Sequence, residues 1–538
     1  MSHVMDRRRF LKAAGASVIS LSAAGAGLSK GQRKRPNVLL ILCDDMGFSD
    51  LGCFGAEIET PNLDRLAANG LRMSQFYNAA RCCPTRASLL TGLYQHQAGV
   101  GLMVGDRGTP EYQGFLNDRC ATIAEVLKPA GYNTYMAGKW HVGDDKGHWP
   151  LDRGFDRYFG LINGASNFYN NVYYRNPSRG QTILLDDEPF DVPATTEEMW
   201  RRNEGFYMTD AFTDYAIEFL SQQQKSDKPF FLYLAYNAPH WPLHAFPEDI
   251  AKYRGKYRIG WDKLRERRYA RQRELGIIDE SVKLAPRSPE VSPWEEASEK
   301  VKEEFDLEMA IYAAMIDRMD RNIGKVVAKL EAMGELEDTL ILFLSDNGGC
   351  HTTPVFKHLQ GEPGGPNSFP CYGFMGSTVS NTPFRMQKQY IHEGGIATPF
   401  IAHWPRGIEP GRIDRQPGHI IDVMPTLIDL CRAEYPQERD GNRTEPLQGI
   451  SLAPVFEGRR ITRQTPLYWE HVGNRGVRIG DWKLVAAKPE LKWELYNMAE
   501  DRSELNDLSD KRPETKRMLW ATYEQWARDN RIRPWPIR

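Results

Sequence analysis

Short apolar runs recur along the chain, and amphipathic stretches separate them. The clearest runs are NVLLILC (37–43), YNTYMA (132–137), FFLYLAY (230–236), TLILFL (339–344) and PFIAH (399–403). Candidate helices lie between these runs, at 61–69, 122–130 and 301–332, and the last carries an apolar stripe with charges between. Continuous apolar strands that alternate with helices predict an α/β fold, with a large, mostly parallel sheet flanked by helices on both faces.

After about residue 438 the pattern changes to short strand-like runs that are joined by turns. These runs lie at 467–471, 476–479, 483–487 and 493–496, and a helical stretch follows at 513–529. They predict a small antiparallel sheet followed by a final helix. We therefore expect a large α/β domain at 31–437, with a charge-rich surface insertion at about 245–300, and a small C-terminal α+β domain at 438–538.

Residues 1–30 have the pattern of an export signal. The basic segment RRRFLK at 7–12 precedes a weakly apolar stretch at 13–27 that ends in small residues. This order is typical of a twin-arginine signal peptide, and it disfavours the alternative of an ordinary basic, alanine-rich start. Because that pathway carries folded cargo, we expect a bacterial protein that passes the Tat translocase and works in the periplasm or outside the cell.

Charge and cysteine usage exclude several classes of protein. The chain has 69 basic and 71 acidic residues, so we expect no nucleic-acid partner. No apolar run beyond the N-terminus is long enough to cross a bilayer, so we expect no transmembrane segment in the mature chain. The eight cysteines contain no C-x-x-C pair, which argues against a zinc ribbon or a disulfide-dense scaffold.

Polar side chains follow four of the predicted strands. In chain order they are Asp44 and Asp45, Lys139 and His141, His240, and Asp346 and Asn347. Any one of these alone fits an ordinary turn or a packed histidine. Because ligands bind beyond the carboxyl ends of parallel strands, the four groups together predict one functional site.

The oxygen-bearing side chains at these strand ends predict a metal site. Asp44, Asp45, Asp346 and Asn347 offer three carboxylates and one amide, with no thiolate or imidazole among them. Such ligands suit Ca²⁺ or Mg²⁺ rather than zinc. We expect one Ca²⁺, because calcium takes about 6–8 oxygen ligands in a tolerant geometry and leaves room for nucleophile and substrate.

The segment RCCPTRASLLTG at 81–92 contains C-x-P-x-R followed by L-T-G. It resembles the signature of the type I sulfatases, in which the first cysteine is oxidised to formylglycine (3-oxoalanine). The position of Pro84 identifies Cys82, and not Cys83, as the converted residue. The blocks LCDDMG, TPNLD, GKWH, APH and SDNG also match. Lys388 stands five residues before Glu393, the spacing of the family's sulfate-binding lysine, and the likeness is closest to bacterial arylsulfatases.

The resemblance implies a set of roles for these residues. Residue 82 would be the nucleophile and a fifth metal ligand, and Arg86 would hold its hydrated side chain. Lys139 would contact the nucleophile and sulfate, while His141 would take a proton from the second hydroxyl of the gem-diol. His240 and Lys388 would hold sulfate oxygens and stabilise or protonate the leaving oxygen. We also expect Pro84 to be the first residue of a helix, which places residue 82 at a helix N-terminus that favours an anion.

The same resemblance implies a substrate and partners. The substrate would be an aryl sulfate or a sulfated carbohydrate, cleaved through a sulfo-enzyme intermediate, and a formylglycine-generating enzyme would mature the chain. Two alternatives remain open. One is a phosphoester or phosphonate monoester hydrolase of the same superfamily, although phosphate's extra charge should require a second metal or more cations. The other is a non-catalytic binder of sulfated glycans. Segments 169–175, 245–300 and 351–381 are candidates for substrate selection.

Overall fold

A computed structural model describes residues 34–172, 180–353, 359 and 361–537. The predicted signal peptide at 1–30 lies outside these residues, and so do parts of the predicted substrate segments at 169–175 and 351–381. None of the helices in the described part of the chain has the length and apolar character needed to cross a membrane.

The core of the fold is an eleven-stranded, mostly parallel sheet, as predicted. Its strands are β1 (Asn37–Cys43), β2 (Leu71–Tyr77), β3 (Asn133–Gly138), β4 (Arg157–Leu161), β5 (Ile183–Leu185), β6 (Glu188–Pro189), β7 (Phe230–Ala235), β8 (Thr339–Ser345), β9 (Ala397–His403), β10 (Arg412–Asp414) and β11 (Gly418–His419). The spatial order is β10-β2-β9-β8-β1-β7-β3-β4-β5-β6, and β11 also pairs with β2.

The central strand β1 pairs in parallel with both β7 and β8. Every residue of these three strands is buried, which is why they appear in the sequence as unbroken apolar runs. Alternate side chains of β1 enter different cores. Leu39 and Ile41 pack on one face, and Val38, Leu40 and Leu42 pack on the other.

Helices cover both faces of the sheet. The α-helices of the described residues are α1 (Pro61–Ala68), α2 (Cys82–Thr91), α3 (Ile123–Leu127), α4 (Glu197–Arg201), α5 (Met208–Gln223), α6 (Pro247–Ala251), α7 (Trp261–Glu274), α8 (Glu299–Ala332), α9 (Gly373–Ser380), α10 (Glu393–Ile396), α11 (Val423–Cys431), α12 (Ala453–Phe456) and α13 (Pro513–Asp529). The last of them, α13, packs on the C-terminal sheet described below. The long helix α8 begins at the cap Ser298, whose hydroxyl accepts a hydrogen bond from the Val301 amide. Its apolar stripe packs against α1, α5 and α6.

The C-terminal part forms a separate sheet on the same core. A short hairpin pairs β12 (Glu438–Arg439) with β13 (Asn442–Arg443), and a four-stranded antiparallel sheet contains β14 (Leu467–His471), β15 (Asn474–Ile479), β16 (Trp482–Ala486) and β17 (Trp493–Asn497). Val477, Leu484 and Leu495 of this sheet belong to the same buried cluster as Ile41 of β1. The domain boundary at 437/438 stays a prediction.

The segment predicted as a surface insertion contains α6 and α7. On α7 the side chain of Arg268 is buried and pairs with Asp50 at 2.6 Å and with Glu57 at 2.7 Å. Asp50 and Glu57 lie in the chain that follows β1, so this helix is fixed beside the carboxyl end of the central strand.

Candidate active site

The carboxyl ends of β1 and β8 place four oxygen-bearing side chains together. Asp44 and Asp45 follow β1, and Asp346 and Asn347 follow its parallel neighbour β8. The amide of Asp45 donates to Oδ1 of Asp346 at 3.2 Å, and Nδ2 of Asn347 donates to Oδ1 of Asp45 at 2.7 Å. Asp45 has a φ of +67°, a left-handed conformation that is uncommon for a non-glycine residue and typical of functional turns.

Each carboxylate of this group is paired with a fixed cation. Nζ of Lys139 donates to Oδ2 of Asp44 at 2.5 Å, and Nζ of Lys388 donates to Oδ1 of Asp45. Arg86 donates to Oδ2 of Asp346 and to the carbonyl of Lys139, both at 2.9 Å. All of these side chains are buried, so each charge depends on its partner and not on water.

Three oxygens of the group have no hydrogen-bond partner among the described residues although they are buried. They are Oδ1 of Asp44, Oδ2 of Asp45 and Oδ1 of Asn347. Buried acceptors without a partner are rare because each loses its hydration without compensation. A set of acceptors that are all oxygen, next to each other and unmatched, fits a hard divalent cation.

The carboxylates also affect one another's protonation. Burial would raise the pKa of Asp44, but Lys139, His240 and Arg86 outweigh burial and hold that pKa well below its usual range. Burial and the nearby Asp44 raise the pKa of Asp346 well above its usual value. A further positive charge would therefore be needed to keep all three carboxylates ionised.

Cys82 is the first residue of α2, and Arg81 is its N-cap. The prediction that Pro84 begins this helix was wrong by two residues. Pro84 lies in the first turn, where backbone N–H groups have no partner within the helix, so its missing N–H costs no hydrogen bond. Residue 82 therefore lies at the helix N-terminus, whose free amides favour an anion, as expected.

The two adjacent cysteines have different surroundings. The Cys82 sulfur, the Cys83 sulfur and a ring nitrogen of His141 lie within 4.8 Å of one another. A hydrogen bond from Cys83 lowers the pKa of the Cys82 thiol well below its usual value, and Lys139, His141 and Lys388 add to this effect against burial. Cys83 belongs to a hydrophobic cluster and contacts the sulfur of Met103 at 3.3 Å, and burial raises its pKa.

The remaining predicted residues complete the site. Nε2 of His240 lies 3.4 Å from Oδ2 of Asp45, and its Nδ1 lies 2.6 Å from the carbonyl oxygen of Trp241. Burial lowers the pKa of His240 even though Asp45 and Asp44 oppose this effect. His141 has a φ of +57°, and Gly164 lies so close that a Cβ there would be 2.4 Å from the imidazole Nε2.

Three side chains near the site were not among the individual site residues predicted from the sequence. Arg81, His351 and His471 do not follow the predicted strands of the large sheet. Arg81 precedes Cys82, His351 follows the Asp346 segment, and His471 ends β14 of the C-terminal sheet. In the sequence, Arg81 had only its proximity to Cys82 as a signal, His351 had its place at the start of the predicted substrate segment 351–381, and His471 had no signal.

Comparison with known proteins gives two matching family models and several relatives. A family model described as Sulfatase matches residues 36–433, and one described as N-sulphoglucosamine sulphohydrolase, C-terminal, matches residues 384–526. The chain is 35% identical over 530 residues to an uncharacterized sulfatase of Schizosaccharomyces pombe, covering 92% of this chain and 94% of the relative. It is 34% identical over 482 residues to the arylsulfatase of Klebsiella aerogenes, covering 85% and 99%.

A solved structure is similar over nearly the whole chain. The crystal structure of Ps i-CgsB in complex with k-i-k-neocarrahexaose has a TM-score of 0.69 and 26% sequence identity. The match covers 92% of this chain and 94% of that one.

Proposed function

Since this chain belongs to the sulfatase family and is a sulfuric ester hydrolase, we propose that its nucleophile is formylglycine made from Cys82. The observation that carries the proposal is the position of Cys82. This buried residue begins α2 beside His141, within electrostatic reach of Lys139 and Lys388. A thiol in this place could accept a sulfo group once, whereas a hydrated aldehyde has a second hydroxyl that can expel sulfate again.

The donor set fits one calcium ion. Asp44, Asp45, Asp346, Asn347 and residue 82 would hold it, and the three unmatched buried oxygens support this assignment. When bound, Ca²⁺ would supply positive charge that makes a hydroxyl of residue 82 more acidic and offsets charge on the sulfate.

In the first half of the reaction, one hydroxyl of hydrated residue 82 attacks sulfur. The attacking hydroxyl gives up its proton, the bond between sulfur and the ester oxygen breaks, and the leaving oxygen takes a proton from Lys388 or from a protonated His240, so the alcohol leaves neutral. Lys388 is suited to hold a sulfate oxygen and stabilise the leaving group, because Asp45 keeps its pKa above the usual value in spite of burial. His240 shares this role in its protonated form: its Nδ1 would donate to the Trp241 carbonyl, and the proton on Nε2 would face the substrate.

In the second half, the other hydroxyl of residue 82 loses its proton to His141. The C–O bond to the sulfo group then breaks, sulfate leaves, and the aldehyde is restored. The strained backbone of His141 and the absence of a side chain at Gly164 support a fixed position for this imidazole. Arg86, held between Asp346 and the Lys139 carbonyl, keeps the helix that carries residue 82 beside the metal ligands.

The substrate that we propose is a sulfate ester of a phenol or a carbohydrate. The arylsulfatase of Klebsiella aerogenes supports the first, and the oligosaccharide in the structure of Ps i-CgsB supports the second. Maturation requires a formylglycine-generating enzyme as a partner, and the pattern at 1–30 supports Tat export to the periplasm.

The test is sulfate release by the matured enzyme from 4-nitrophenyl sulfate and from a panel of sulfated sugars, next to the matching phosphate esters. We expect hydrolysis of at least one class of sulfate ester, and slower hydrolysis of the phosphates. Faster turnover of the phosphate esters would support the phosphoester hydrolase instead. Binding of sulfated sugars without release of sulfate would support the non-catalytic alternative.

A further inference from the structure

Among the arginines and lysines described at this site, Arg81 is the one that forms no ion pair with a carboxylate. Its Nε is shielded from solvent without a hydrogen-bond partner, and no described residue forms an ion pair with it. In contrast, Arg86, Lys139 and Lys388 each bind a carboxylate. A half-buried cation that lacks a partner loses hydration without compensation, so an anion that binds here would be favoured.

The surroundings of Arg81 locate it between the catalytic segment and the C-terminal sheet. The carbonyl of the preceding Ala80 accepts from the Gln389 amide at 2.8 Å. The Gln389 carbonyl in turn accepts from Nδ2 of Asn474 at 2.9 Å, and Nε1 of Trp469 donates to the Asn78 carbonyl at 2.9 Å. Arg81 therefore lies beside both the Lys388 segment and the β14–β15 hairpin.

Against burial, the Cys82 thiol is the side chain that raises the pKa of Arg81 most, but conversion to formylglycine would remove that thiol, and no described carboxylate beside Arg81 is free to pair with it. Burial, with Lys388 and Arg81 close by, lowers the pKa of His351 to about 4, and burial followed by Arg81 lowers the pKa of His471. Both imidazoles are therefore neutral near pH 7, and the Nδ1 of each is buried without a partner among the described residues. Asp45 is within electrostatic reach of Arg81 but already binds Lys388 and Asn347.

The balance of charge indicates that the transferring sulfate does not need Arg81. The three buried carboxylates are matched by Arg86, Lys139 and Lys388. The two charges of a calcium ion would then be matched by the ionised hydroxyl of residue 82 and the single charge of a sulfate monoester. None of these groups balances the positive charge of Arg81, and Arg81 directly precedes the reacting residue 82.

We propose that Arg81 binds a second anionic group of the substrate, a carboxylate or another sulfate on the same or an adjacent sugar ring. The preferred substrates are then polyanionic sulfated carbohydrates rather than simple aryl sulfates. This inference rests on the proposed sulfatase function. A guanidinium suits both anions, because its planar fork can donate two parallel hydrogen bonds.

The experiment compares three sugars of one backbone: monosulfated, disulfated, and monosulfated with a carboxylate. For the matured Arg81→Gln enzyme we expect KM for the two dianions to rise on the order of 10- to 100-fold, the cost of losing one charged hydrogen-bonded pair. For the monosulfated sugar the rise should be several-fold smaller. The relative effect on the disulfated and carboxylated sugars identifies which anion Arg81 binds. Arg81→Lys should rescue binding in part, and less for the carboxylate.

Two further measurements distinguish a failure of the Arg81 proposal from a failure of the proposed sulfatase reaction. Arg267→Gln removes the same charge from the exposed face of α7 and controls for the overall field. Calorimetric binding of the disulfated sugar to the Cys82→Ala protein, with and without Arg81→Gln, needs no turnover, so it tests Arg81 even if the proposed reaction fails. If Arg81→Gln raised KM equally for all three sugars, or raised the inhibition constant for inorganic sulfate as much as KM for the dianions, the second-anion role would be overturned.

Discussion

Arg86 donates a hydrogen bond of 2.9 Å to Oδ2 of Asp346, and neither side chain is accessible to solvent. The two residues come from α2 and from the end of β8, so this contact joins the helix that carries Cys82 to the candidate metal ligands. Removal of either partner would leave a buried charge without compensation, which is the costly case for an ion pair.

Arg86→Met should therefore lower the free energy of unfolding by about 3–5 kcal/mol. Urea denaturation at pH 7 measures this loss. The matched control is Arg202→Met, which breaks an exposed pair with Glu198 at 3.0 Å and should cost a small fraction as much. Similar losses in the two variants would show that the buried pair has no special importance for stability.

Metal removal should affect both activity and stability. Chelation should abolish sulfate release, and Ca²⁺ should restore it better than Zn²⁺, because the candidate ligands are all oxygen. Ca²⁺ should also raise the thermal unfolding midpoint of the wild-type protein by mass action. Asp346→Ala should remove that calcium-dependent rise while the protein still folds, although its metal-free midpoint should be lower because Arg86 loses its partner. Full activity of a metal-free preparation, or an unchanged calcium response in the variant, would contradict the assignment.

His244 should make the protein sensitive to acid. Burial lowers its pKa from 6.5 to about 4, and the ring nitrogens contact the Ser368 carbonyl and the Phe168 amide. The folded state thus holds the imidazole neutral, while the unfolded chain protonates near pH 6.5. Its contribution is complete above about pH 6.5 and declines as pH falls toward about 4, by about 2 kcal/mol at pH 5.

Urea unfolding at pH 7 and pH 5 measures this contribution. The wild-type protein should lose more stability between the two pH values than His244→Gln, since glutamine does not titrate. His351 and His403 also have a pKa lowered to about 4 by burial, but they are present in both proteins and cancel in the comparison. Equal losses in wild type and variant would show that His244 does not carry the effect.

Export should depend on the paired arginines at the N-terminus. Replacement of Arg7 and Arg8 by lysine should retain the enzyme in the cytoplasm, because the pathway for folded cargo depends on the arginine pair. Fractionation followed by a sulfatase assay measures this, and Arg33→Lys, beyond the apolar stretch, serves as the control. Unchanged secretion of the double variant would contradict the predicted signal.

The sequence predicted best those helices and strands whose pattern of apolar residues has a single physical cause. Strand β1 and helix α13 have the predicted bounds, because burial on both faces and a long amphipathic stripe leave strong signals. The strand-end rule also predicted that Asp44, Asp45, Asp346 and Asn347 would lie together, and the structure brings them together. The short strands β5, β6, β10 and β11 were missed, since each has only two or three residues, and the longer strands β2 and β4 were not predicted either.

The rest of the site depends on contacts that no local pattern specifies. The start of α2 was placed too late, because proline is tolerated anywhere in the first turn. The position of Arg81 beside the C-terminal sheet depends on Trp469 and Asn474, which lie almost 400 residues further along the chain. Neither residue stands near a motif, so tertiary packing alone brings them to the site.

The mass of the peptide that contains residues 82–86, together with turnover by two alanine variants, tests the central claim most directly. Co-expression with a formylglycine-generating enzyme should convert Cys82 to the aldehyde and leave Cys83 as cysteine. Cys82→Ala should lose turnover entirely, whereas Cys83→Ala should lose little beyond packing, since Cys83 contacts Met103 in the core. An unmodified Cys82 in an active enzyme, an aldehyde at Cys83, or normal turnover by Cys82→Ala would contradict the account.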